Sequence, residues 1–339
     1  MKLGSEVGES LPPQWLAHRF DETRNEIRFV NYDRETRSSV PFLTDEYLPH
    51  VPYRAEPRAA ARQLAAESAP VQFVFHSGFC CSTLFASCFD QPGLATTFSE
   101  PMILNDVVGW RKRGAAPADV GRLLEDALAL LARPFEGDLA AIIKPSTIVN
   151  SLGAAMLSLR PESRAIVMYA PLEDFLASIA KKGIDGRLWV RELFLNMRRE
   201  ALVDALGFND EQYFGQTDLQ IAAIAWLGQQ RLFKQLATRF PDRVRSLDSK
   251  TFLDGPRTSL EAARRFLGLG LSPAELEAAE RDRLSRNSKD GKPYSRSARQ
   301  AEYRAANAAY GDEIRKVAAW ARAAASAAGV ALEPGNSLT

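Results

Sequence analysis

Cysteine and histidine are scarce in this sequence, with three of each among 339 residues. Cys80, Cys81 and Cys88 fall within nine positions of one another. That is no disulfide framework for a chain this long, and it favours a reducing, cytoplasmic setting. His18, His50 and His76 supply no partners at ligand spacing, so no metal site is expected. An excess of either charge is also lacking: 43 Lys and Arg stand against 42 Asp and Glu, a formal net charge of +1. A near-neutral chain has no global field to hold nucleic acid or an anionic membrane, so any polyanion site must be a local cluster of basic residues. No stretch approaches the roughly 20 apolar residues that span a bilayer. The opening MKLGSEVGESLPPQW lacks the apolar run of a signal peptide. No repeat of about 20–50 residues is evident. What remains is 46% hydrophobic and 25% charged residues, the make-up of one large α/β domain with additions, or of two domains.

Residues 1–68 read as an extension before the main fold. IRFVNY at 27–32 suits a strand, DRET a turn and SVPFL at 39–43 a returning strand, which together predict a hairpin. Glu56 to Ala69 is rich in Ala and Arg at helical spacing and predicts a helix that Pro70 ends. Four short apolar runs follow, each leading through a polar turn to a helix. Val71–Phe75 leads to Ser82–Phe89, and Ala140–Ile143 leads through KPST to Val149–Leu159. Ala165–Tyr169 leads through APLED to Phe175–Lys181, and Val244–Leu247 leads through DSKTFLDGP to Ser259–Leu267. Strand, loop and helix repeating in this order predict a doubly wound, mostly parallel α/β sheet over 69–330. Trp189 to Phe240 has helical spacing throughout and reads as a helical flank at 190–240. SRNSKDGKPYSRSAR reads as a basic polar loop, Arg299–Gly329 as the last helix, and 331–339 as a flexible tail that frays.

The first of these turns carries the most chemistry. In FVFHSGFCCSTLF a strand runs into His76-Ser77-Gly78-Phe79-Cys80-Cys81 and then a helix near Ser82 and Thr83. Backbone N–H groups at a helix start can hold an anion, and the two hydroxyls add donors. A Walker A loop needs a lysine before the Ser or Thr, and here Cys81 precedes Ser82, which speaks against an ATPase or GTPase. The plainer alternative is a strand-to-helix turn with Ser82 as its N-cap.

These residues, with three later segments in order, resemble the sulfotransferase family, in the manner of a divergent bacterial-type member. GFCCSTLF at 78–85 is similar to the family's PRSGTTLL loop, matching at Thr83 and Leu84. FSEP at Phe98–Pro101 resembles a KEP segment, IIKPST with Lys144 resembles EKTP or EKSP, and SRAIVMYAPLEDFLAS resembles ARIIFLLRDPRDVALS, matching at Asp174 and Ser178. The resemblance spans about residues 71–290. It implies a P-loop NTPase-like three-layer fold and transfer of a sulfuryl group from 3′-phosphoadenylyl sulfate (PAPS) to a hydroxyl or amine, without a metal. The acceptor would be a small molecule, saccharide or lipid. It also implies roles: Glu100 as base, Lys144 as the cation near the sulfuryl group, and Gly78, Phe79, Cys80, Cys81, Ser82 and Thr83 as the anion cradle. Ser178 and Lys289 would hold the 3′-phosphate with help from Arg187. Trp189 could stack on adenine, but a Trp beside a helix reads first as core or rim packing.

Two family cations are replaced, the loop's basic residue by Phe79 and the arginine of RDPRD by Ala170. His76 is a substitute for the first if protonated. Those replacements keep two other readings open: a protein of this fold that has lost the donor site and binds or regulates, and a nucleotide-dependent, kinase-like enzyme.

Overall fold

The computed structural model describes residues 2–3, 11–65, 69–270 and 296–339. Its strands are β1 (Lys2–Leu3), β2 (Trp15–Asp21), β3 (Glu26–Asn31), β4 (Tyr53–Pro57), β5 (Val71–His76), β6 (Ala95–Ser99), β7 (Ala140–Lys144), β8 (Ala165–Tyr169) and β9 (Val244–Asp248). Between and after them run helices α1 (Arg34–Ser39), α2 (Arg58–Gln63), α3 (Ser82–Ser87), α4 (Met102–Lys112), α5 (Pro117–Leu131) and α6 (Gly153–Leu159). These are followed by α7 (Leu172–Lys181), α8 (Gly183–Arg199), α9 (Asp210–Phe214), α10 (Asp218–Arg239), α11 (Ser249–Asp254), α12 (Pro256–Leu267) and α13 (Arg296–Ala327). The larger sheet has the strand order β6-β7-β5-β8-β9, and the chain adopts the expected α/β architecture, a central parallel sheet flanked by helices. No described helix is long and apolar enough to cross a membrane.

The described residues group into two units. The first holds those within 1–75, 83–165 and 260–270; the second holds 76–82, 166–259 and those from Arg296 onward.

In the first unit the smaller sheet has the order β1-β4-β3-β2. The strand expected at 27–32 is β3, but its hairpin partner is β2, with Asp21 opposite Glu26 and Asn25 at φ 50° in the turn. Asparagine tolerates that left-handed conformation, which is what makes the turn close there. The returning strand expected at 39–43 does not form; that stretch bends, with Leu43 N donating to Ser99 O at 2.7 Å and Ser99 Oγ donating to Pro41 O at 2.9 Å. DRET is a helix start, because the Asp33 carboxylate accepts from Thr36 N and caps α1. The helix expected from Glu56 is likewise shorter. Tyr53–Pro57 pairs antiparallel with β3, and Pro57 ends that strand and opens α2.

β5, β6 and β7 are parallel, β7 pairing with both. Every residue of β5 and β7 is buried, as strands covered on both faces require. β6, ATTFS, did not stand out in the sequence because an edge strand is covered less: Thr97 and Ser99 are half-buried, and two threonines break the apolar run.

In the second unit, α10 begins at a reciprocal cap between Thr217 and Gln220 and is buried along most of its length. The helical spacing expected from Trp189 to Phe240 is broken between α8 and α10, where Gly207 at φ 74° closes a short 3-10 turn. The tail expected to fray is instead joined to β9. Ser246 N donates to Asn336 O at 2.9 Å, Leu338 N to Ser246 O at 2.9 Å, and Ser246 Oγ to Gly335 O at 2.8 Å.

Candidate functional site

In the first unit the three parallel strands end at one edge, with Ser99 level with Lys144 and Ile143 level with Phe73. Ligands of open α/β sheets bind at carboxyl ends of this kind. Lys144 closes β7, its side chain wholly buried, and Nζ donates to Glu100 Oε1 at 2.6 Å while also lying 5.1 Å from the centre of the Phe42 ring. A second bond ties the same two residues, Glu100 N to Lys144 O at 2.6 Å. Glu100 takes φ 53°, a left-handed conformation that costs a residue with a Cβ about 1–2 kcal/mol. Pro101 follows at the N-cap of α4. The bend aims the carboxylate back at the lysine, and 18% of that side chain remains exposed. The arrangement is a buried cation neutralised by a carboxylate that solvent can still reach, suited to stabilising developing negative charge and to accepting a proton.

In the second unit, the loop leaving β5 departs from ordinary backbone at three of four positions. Gly78 has φ 80°, Phe79 φ 53° and Cys81 φ 60°. Such left-handed residues fold successive N–H groups toward a common concavity that favours anions. Ser82, 4% exposed, is the first residue of α3, so the N-cap position falls on Cys81 rather than on Ser82. Thr83, the next residue of α3, is half-buried.

The loop is clamped from several sides. Gly78 N donates to His76 Nδ1 at 3.1 Å, Ser77 N to Met168 O at 2.9 Å, and the Cys80 thiol to Met168 O at 3.5 Å. Gln229 Nε2 donates to Ser77 O at 3.0 Å. Through the bond from Gly78 N, the His76 imidazole orients the loop.

Phe79 packs edge-on against Trp189, with ring centres 5.1 Å apart, and against Phe175 at 6.0 Å, while Lys182 Nζ lies 5.9 Å from its ring. Trp189 therefore serves aromatic packing here. Ala170 is held by backbone alone: its N–H donates to Ser77 Oγ at 3.3 Å and its carbonyl accepts from Trp226 Nε1 at 2.8 Å. Burial pushes the phenol of the preceding Tyr169 up, with the Glu333 and Asp248 charges adding, so it stays neutral. Ser178 Oγ donates to Asp174 O one turn back at 2.8 Å. Arg187 and Arg191 share Asp218, at 3.5 and 2.8 Å. Lys289 lies outside the described residues.

Ser77, Trp226 and Gln229 are the site residues that sequence reasoning missed. From the middle of α10, Gln229 reaches Ser77, 152 positions upstream, and Trp226 reaches Ala170, 56 positions upstream, and no local pattern marks them.

No family model and no curated protein matches this sequence. Among solved structures, the chain is similar to a sulfotransferase domain from the curacin biosynthetic pathway, at 13% identity over 66% of this chain and 81% of that domain, with a TM-score of 0.38.

Proposed function

We propose that this chain is a PAPS-dependent sulfotransferase of a reducing, cytoplasmic setting, acting on a hydroxyl or amine of a small molecule, saccharide or lipid. The observation that supports the reading is the clamped loop with left-handed Gly78, Phe79 and Cys81, a backbone form suited to holding an anion, at the very segment that resembles the family's donor loop. The backbone N–H groups of Phe79, Cys80 and Cys81 and the hydroxyls of Ser82 and Thr83 suit the phosphosulfate end of the donor, with Gly78, whose N–H is given to His76, supplying the turn. PAPS, when bound, supplies the sulfuryl group. Glu100 accepts the acceptor's proton on its carboxylate, Lys144 holds that carboxylate and offsets negative charge, and His76 orients the loop. Ser178, Arg187 and Lys289 hold the 3′-phosphate, and no metal is needed. Lys182, beside the Phe79 ring, brings a cation to the position where the family's basic residue is replaced.

A second reading has its own support. Phe79 is engaged with Trp189 and Phe175, and the Ala170 carbonyl with Trp226, so a binding or regulatory protein that has lost donor chemistry is the competing proposal. A kinase-like enzyme is disfavoured by the cysteine before Ser82.

Thermal unfolding with 3′,5′-ADP, with inorganic sulfate and with ATP plus Mg²⁺ separates the three, because a ligand that binds only the folded chain raises Tm. Stabilisation by 3′,5′-ADP, together with sulfuryl transfer from PAPS that Glu100→Gln abolishes, is the expected outcome. Indifference to all three ligands leaves the second reading, and a response to ATP with Mg²⁺ alone favours the third.

A further inference from the structure

Three arginines of the first unit, Arg34, Arg37 and Arg133, take no part in the function proposed above; Arg37 and Arg133 are buried and Arg34 is half-buried. Arg34 and Arg37 on α1 each place a guanidinium 4.7 Å from the centre of the Phe135 ring. Arg133 follows α5 at 8% exposure, and Arg37 is 5% exposed. Their partners divide unequally. Arg34 is paired twice, with Asp90 at 3.1 Å and with Asp138, whose side chain is wholly buried. Both carboxylates are filled further, Asp138 by Thr96 Oγ1 and Gly93 N, and Asp90 by Ser38 Oγ and Thr97 N.

Arg37 and Arg133 have no carboxylate partner among the described residues. Arg37 Nη2 donates to Pro13 O and Gln14 O at 2.8 and 2.7 Å, and Arg133 Nη2 to Leu11 O and Pro12 O. Two guanidiniums thus grip four successive carbonyls, which keeps them near each other; Arg133 is among the charges that act on Arg37. Arg37 Nε and Nη1 and Arg133 Nη1 are buried with no acceptor among the described residues.

Among the described residues, three cations are therefore served by two carboxylates, and the unmet donors sit on the two arginines that lack one. Water would meet the N–H groups but leave the charge, whereas an anion meets both. Burial pulls Arg37 down to about 9, with the Arg133 and Arg34 charges adding and Asp90 opposing, so it is still cationic at neutral pH.

The geometry points to a buried receptor for one small monovalent anion of the halide class, held by Arg37 Nε and Nη1 and Arg133 Nη1. Occupancy would lock the segment Leu11–Gln14 onto α1 and the end of α5. The probe is chloride. The full chain is unfolded thermally as sodium gluconate is replaced by sodium chloride at constant ionic strength. A saturable rise in Tm that is lost in Arg37→Gln and in Arg133→Gln is expected. Equal stability in the two salts, or a chloride effect that persists unchanged in both variants, overturns the proposal. Where a variant does not fold, chloride NMR on the unaltered chain decides: line broadening that bromide displaces supports the site, and its absence rejects it.

Discussion

Gly78 is the residue on which the β5–α3 loop turns. At φ 80° it occupies a region that a Cβ disfavours, in a buried loop already holding Phe79 and Cys81 in left-handed conformations. Gly78→Ala is expected to lower stability by about 1–2 kcal/mol in a denaturant titration, and to weaken any response to 3′,5′-ADP, because the strain falls on the loop itself. Lys144 poses the opposite problem, a charge with no solvent. Lys144→Met leaves the Glu100 carboxylate without its cation, and a loss of about 3 kcal/mol is expected by analogy with broken buried pairs. Adding Glu100→Gln removes the orphaned charge, so the double variant should regain much of that loss. A double variant no more stable than the single one would show that the pair is not the source. Both residues were legible in the sequence, from FSEP and IIKPST; their bond was not, because the left-handed turn at Glu100 that brings the carboxylate back depends on β6 lying beside β7.

At the level of elements, the hairpin of the smaller sheet sets an acid limit. His18 on β2 donates from Nε2 to Asp45 Oδ1 at 2.6 Å, and its Nδ1 is buried with no partner among the described residues. Burial lowers its pKa although Asp45 opposes, so the folded chain holds the neutral ring. With the unfolded value near about 6.5, the His18 contribution is fully present above that pH and is lost as pH falls through the lowered folded value. Burial raises Asp45, but the His18 and Arg19 partners outweigh it and leave the carboxyl low, so protonating it costs stability in the same direction. Tm is expected to fall as pH drops below about 6.5, with a shallower slope in His18→Gln. An unchanged slope would assign the acid limit to other groups.

The tail is the second such element. β9 lies at the end of the strand order, and the segment Gly335–Leu338 covers Ser246 through the bonds described above. Asn336 adds its side-chain amide to Ala237 O at 3.1 Å. Deleting 334–339 removes these four bonds, at roughly 0.5–1.5 kcal/mol each, so a loss of about 2–6 kcal/mol is expected in thermal unfolding, and light scattering should report association through the bared edge. A tail whose removal changes neither would behave as the frayed segment that its Pro, Gly, Asn and Ser composition suggests. Composition records the cost of ordering these residues but not the presence of a strand edge to receive them.

For the whole molecule, charge balance is the property read most directly. With 43 basic and 42 acidic residues the isoelectric point falls just above neutral pH, and solubility should pass through a minimum there, which precipitation by polyethylene glycol across pH would locate. A minimum well away from neutrality would mean that many of these charges are shifted or masked.

Alternation of buried apolar runs with amphipathic helices determined the α/β class, the positions of β5, β7 and β8 and the loop at 78–83, because a strand covered on both faces must be written almost wholly in apolar residues; the edge strand β9 was placed by its apolar residues, Val244 and Leu247, and the turn and helix after it. Tertiary structure alone decided the edge strand β6, the partner of β3, the docking of the tail, the bonds of Gln229 to Ser77 and of Trp226 to Ala170, and the meeting of Arg34 and Arg37 at Phe135. Each of these depends on which distant surface a segment meets, and hydrogen bonds and charge pairs between segments far apart in the chain leave no period in its sequence.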